Sequence, residues 1–128
     1  MKHLRLLALA VFLCSCTVYI SPAELPRLKG TWDGWSVSKN LHYRSILVIY
    51  NESLPLKGNL IIYELPGDKP TVYPFENGEI DAFGHLFIRF YDGTILDLSL
   101  VWNYNEFKLD GMYFTEGKSG RIALLKVG

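Results

Sequence analysis

Residues 94–102, TILDLSLVW, alternate without a break: Leu96, Leu98, Leu100 and Trp102 fall on one face, Asp97 and Ser99 on the other. A period of two marks a strand with one buried and one solvated face. The pattern returns in 106–114, EFKLDGMYF, where Phe107, Leu109, Gly111 and Tyr113 oppose Lys108 and Asp110. From Gly30 onward no segment carries a helical stripe of useful length, so the chain is confined to β-structure. The abundant Tyr, Phe and Trp suit that class.

Turn signals divide this stretch into eight expected strands: 30–38, 44–51, 58–65, 71–76, 79–91, 94–102, 106–114 and 121–127. Pro66-Gly67-Asp68 ends the third. Asn77-Gly78 between two apolar runs predicts a tight hairpin, because both residues accept positive φ. Gly84 in mid-strand predicts a bend or bulge. Asp92-Gly93, Asn103-Tyr104-Asn105 and residues 116–120 supply the remaining turns. Eight antiparallel neighbours on short loops predict an all-β fold, an eight-stranded antiparallel up-and-down barrel that removes exposed sheet edges. A two-sheet β-sandwich is the alternative.

The N-terminus follows a different logic. Lys2 and Arg5 precede an unbroken apolar run, Leu6 to Leu13, and the small Ser15 follows. This is the layout of a secretory signal peptide over 1–15; the run is shorter than the ~20 apolar residues a bilayer-spanning helix needs. Cys14 and Cys16 are the two cysteines of the chain. With one residue between them a disulfide closes a strained ring, and His3 is the one metal ligand nearby. Leu13-Cys14-Ser15-Cys16 resembles the lipobox of bacterial lipoproteins, with Cys14 where Ala, Ser or Thr is more usual. That resemblance implies cleavage before Cys16, diacylation of its sulfur and acylation of its amine. It also implies a cell-envelope protein. Thr17, where an Asp favours inner-membrane retention in enterobacterial lipoproteins, points to the outer membrane where the host has one. Residues 16–29, with Pro22 and Pro26 and no period, then read as a lipidated tether, and 30–128 as the barrel domain.

Setting Lys2 and Arg5 aside leaves 11 basic against 13 acidic residues. A near-neutral domain without a basic run argues against a nucleic-acid partner.

Gly30-Thr31-Trp32-Asp33-Gly34 resembles the first strand of lipocalins and their calycin relatives. The resemblance implies that Trp32 plugs the closed end of the barrel and that a basic side chain late in the chain packs across it. Arg121 is the expected partner, and Trp102 is placed with the ligand or barrel-closing residues. The domain is short for a lipocalin and lacks the C-terminal helix usual there; it is more similar to small bacterial lipocalin-like lipoproteins.

Catalytic chemistry has little to stand on. His42 and His85 sit in no metal-ligand spacing, and no Ser lies in a Gly-x-Ser-x-Gly elbow. Asp81, Asp97 and Asp110 are the carboxylates that neighbouring strands bring nearest to a glycosidase-like pair, or else they mark a solvated outer face. No enzyme, cofactor or metal is expected. The expectation is a membrane-anchored binding module for a small hydrophobic ligand, its interior filled or shallowly cupped. The alternative is a protein-interaction or inhibitor module of the envelope.

Overall fold

The computed structural model describes residues 16–64 and 69–128; the expected signal peptide and the Pro66-Gly67-Asp68 turn lie outside them. Nine strands occur among the described residues. β1 (Cys16–Val18) leads through a 3-10 turn (Pro22–Glu24) and a one-turn helix, α1 (Leu25–Leu28), to β2 (Gly30–Ser38). β3 (Leu41–Ile49), β4 (Leu56–Tyr63), β5 (Thr71–Ile80), β6 (Leu86–Arg89), β7 (Ile95–Asn103), β8 (Glu106–Thr115) and β9 (Lys118–Lys126) follow. Each strand from β2 to β9 pairs antiparallel with the next, and β9 returns to β2. The result is a closed eight-stranded up-and-down barrel, which sets the sandwich aside.

The pleat explains the interior. Inward positions near the start of β2 hold Trp32, and those of its neighbours hold Leu47, Ile49, Leu56, Leu98, Leu100, Leu109 and Leu124, all buried. Outward positions carry Asp33, Arg44, Lys57, Arg89, Asp110 and Arg121, none of them buried. Charged side chains share the outer wall with exposed Trp35, Phe114 and Leu125, and the apolar interior is the reverse of the polar lumen of a membrane-spanning barrel. Inward Gly111 lets the wall curve: a Cβ there would lie 2.0 Å from the Asp97 carbonyl oxygen, and glycine is the residue that permits such a corner.

Two hairpins turn on residue pairs with positive φ: Lys39 and Asn40 at 53° and 56°, Tyr104 and Asn105 at 49° and 67°. Both-positive pairs match the right-handed twist of the flanking strands. The second was expected; the first starts β3 three residues before the predicted 44.

The Asn77-Gly78 hairpin does not form. β5 runs through both residues to Ile80, with a bulge against β4 between the Leu56–Gly78 and Gly58–Phe75 pairs. The chain turns instead at Asp81, whose Oδ1 accepts the backbone N–H groups of Phe83 and His85, each at 2.9 Å. Gly84, at φ 74°, completes that turn. A side-chain acceptor and a positive-φ glycine outcompeted the two-residue signal.

Residues 16–29 are not a free tether. β1 pairs with β7, Cys16 opposite Trp102 and Val18 opposite Leu100. β6 stops short, leaving that half of the β7 edge for β1. Ile20, Leu25 and Leu28 are buried in the same core as Trp32. Burial of such side chains stabilises by about 1.5–3 kcal/mol each, enough to dock a short segment despite its prolines. Pro26 sits within the first turn of α1, where a missing N–H costs nothing.

Candidate functional site

The two ends of the barrel differ. One is shut by α1 and by Trp32, whose indole N–H donates to the Leu28 carbonyl at 2.9 Å. The other is open, and a cavity of about 550 Å³ extends inward from it. The cause lies in the inward sequence of each strand. β2 runs Trp32, Gly34, Ser36, Ser38 from the shut end to the mouth, and Thr94 and Thr115 stand at the mouth on neighbouring strands. Along β2 the large Trp32 fills the lower half, and Ser36 and Ser38 leave space beside them in the upper half.

Leu60, Ile62, Phe90, Leu96 and Ile122 form apolar walls, and Tyr43, Tyr73 and Tyr113 line the cavity with them. Lys39, Glu64, Asp92 and Lys118 ring the mouth. Phe90 holds Tyr73 and Phe75 edge-on, with centroids 6.3 and 5.8 Å away. Burial raises the Tyr73 phenol above its ordinary value of 10.0, with Glu64 and Asp92 adding to the shift. Tyr73 therefore presents an O–H donor throughout the neutral range.

At depth the cavity meets a buried hydroxyl pair. Ser45 Oγ donates to the Tyr43 carbonyl at 3.0 Å, which uses its single proton. Ser36 Oγ, 2.6 Å from Ser45 Oγ, must then be the donor of that pair. The lone pairs of Ser36, a lining residue, are left as an acceptor for whatever enters.

Trp32 occupies the shut end as expected. Arg121 does not cross it. Arg121 points outward from β9, is mostly exposed and reaches Asp110 at 3.8 Å. Lys126 takes the expected position: it is opposite Trp32 in the β2–β9 register, its Nζ 5.7 Å from the indole centroid. It also donates to the Arg27 carbonyl. Counting five residues back from the true partner moves the side chain to the other face. Trp102 is at the far end of β7 beside Cys16, exposed and outside the cavity. Cys16 is exposed.

The fold gathers three residues that sequence spacing left apart. Asp81, His85 and Asp97 have ligand atoms within 4.8 Å of one another on the outer wall. Each is already engaged: Asp81 caps its turn, and His85 Nδ1 lies 2.9 Å from Asp97 Oδ1. Asp110 is separately paired with Arg121. Asn51, which begins a nominal glycosylation triplet, instead closes its own loop, accepting from Lys57 N–H and donating to the Ser53 and Pro55 carbonyls. A cup at the open end was expected, and Tyr43, Tyr73 and Tyr113 could be weighed as its lining, but Ser36, Ser38, Thr94 and Thr115 were missed; their signal was the large-to-small gradient along β2.

Comparison with protein-family models, curated proteins and solved structures finds no match to this chain.

Proposed function

We propose that the protein is a lipid-anchored binding module whose cup takes one small, largely apolar molecule. The carrying observation is the cavity of about 550 Å³ with apolar walls, a polar rim and a buried acceptor at Ser36. Cavities of roughly 300–1,000 Å³ with few placed polar groups are the usual form of small-molecule sites. The free acceptor at depth favours a ligand with a hydroxyl or amine at its inserted end. Lys39, Glu64, Asp92 and Lys118 on the rim suit a second, polar group left at the mouth. Acylation of Cys16 holds this module at a membrane of the cell envelope, supported by the lipobox resemblance and the exposure of Cys16. The calycin-like reading is supported by the barrel and by Trp32 at its shut end.

Native mass spectrometry of gently purified protein tests the cup. The expected result is an added mass of one small molecule per chain, lost on denaturation. An apo mass that stays apo after incubation with long-chain alcohols and amines would overturn it.

A second reading, a protein-interaction module, draws on exposed Leu41, Val72 and Tyr91 around the mouth. Co-purification of an envelope protein that Tyr91→Ala abolishes would favour it.

A further inference from the structure

The shut end of the barrel carries an exposed apolar side chain on each described connection across it. Tyr50 and Leu54 stand on the β3–β4 loop, Phe83 on the β5–β6 turn and Tyr104 on the β7–β8 turn. Val127 follows β9, and Tyr19 lies across Gly84 with its hydroxyl reaching the Ala82 carbonyl. The mouth also exposes Leu41, Val72 and Tyr91, but its β2–β3 and β8–β9 turns are the polar Lys39-Asn40 and Glu116-Gly117. Tyr and Trp with an apolar body and a polar tip are the side chains that favour a membrane–water interface.

Cys16 belongs to this same end. It is paired with Trp102 in the sheet, so no slack chain separates the attachment point from the barrel. Arg27 and Lys29 on the face are balanced by Glu52 and Glu106, all exposed. Contact through this face therefore draws on aromatic partitioning more than on lipid charge. The charged outer wall keeps the barrel itself out of the hydrocarbon.

We propose that the shut end is a membrane-contact face, lying on the bilayer that holds acylated Cys16 and directing the mouth of the cup away into water. This rests on the reading that Cys16 is acylated. A barrel hanging loosely from its anchor would present all sides to the lipid equally. A docked one presents Leu54, although the β3–β4 loop lies across the barrel from β7 and Cys16.

The test uses the full chain, expressed, extracted from membranes and placed in phosphatidylcholine vesicles with brominated acyl chains, which quench a nearby indole. In a Trp35→Phe/Trp102→Phe background, a reporter is introduced by Leu54→Trp or by Tyr91→Trp. Read as the difference from the background protein, which keeps Trp32, the Leu54→Trp reporter should lose at least half of its emission relative to unbrominated vesicles, and the Tyr91→Trp reporter none. Equal quenching at the two positions, or none at Leu54→Trp, overturns the docked orientation. The intact mass of the same sample reads the anchor separately. Acyl mass on Cys16 without quenching leaves the anchor standing and removes the contact face. No acyl mass removes both.

Discussion

Lys126 lies directly across the β2–β9 ladder from Trp32, its ammonium 5.7 Å from the indole centroid and bonded to the Arg27 carbonyl. Helix, indole and last strand are thereby joined at one point. Burial holds the Lys126 pKa below its usual 10.5, the Arg27 charge adding to the effect. Lys126→Ala removes stem packing and one hydrogen bond, at a cost of about 1 kcal/mol. Arg121→Ala should stay within about 0.5 kcal/mol of the parent, as surface substitutions do. Urea unfolding of the two variants checks the assignment.

Leu28→Ala distinguishes a packed segment from a tether. Leu28 is fully buried against the barrel floor. Truncating such a side chain costs about 2–5 kcal/mol, whereas a solvated tether residue costs almost nothing. The denaturation midpoint of the variant is the measurement.

Asp81→Ala strips the β5–β6 turn of the acceptor for two backbone N–H groups. A loss of about 1–2 kcal/mol is expected, with faster amide exchange at Phe83 and His85. Asp81→Asn keeps an oxygen in place and should recover much of it.

Ile62→Trp places a large ring in the upper half of the cup, where Ile62 lines the wall near the mouth. Binding of the native ligand should fall at least tenfold while the melting temperature moves little. A fall in melting temperature with binding intact would locate the ligand elsewhere.

Tyr73 gives a pH signature. Its folded pKa is raised above 10.0, chiefly by burial. Above pH 10 the unfolded chain releases this proton before the folded chain does, so the contribution of Tyr73 is present below pH 10 and is lost as pH climbs towards the raised value. Tyr73→Phe should therefore flatten the alkaline fall in stability. Unfolding at pH 9 and pH 11 for both proteins reads the difference.

The eight barrel strands and their closure were legible because the alternation of 94–102 and 106–114 leaves each face no other partner; the ninth strand, β1, was not. The shut end was only half legible. Trp32 could be placed, but its cation could not, since Arg121 and Lys126 differ by an odd number of residues and only the β2–β9 register settles which one faces inward. Asn77-Gly78 misled because a dipeptide carries no information about Asp81, whose carboxylate captured the turn four residues later. Residues 16–29 looked unpatterned because their three buried side chains, Ile20, Leu25 and Leu28, follow a path across the barrel end rather than a helical or strand period. Asp81, His85 and Asp97 converge only through the pairing of β6 with β7, which no local spacing encodes.

β1 fills the stretch of the β7 edge that β6 does not reach, and it does so with three residue pairs beginning at Cys16. A load applied at Cys16 therefore falls first on the Cys16–Trp102 pair, then on Thr17–Val101, then on Val18–Leu100. Behind them Ile20, Leu25 and Leu28 are buried in the core of the barrel. Fraying of β1 would therefore stop at Ile20, where the core takes hold.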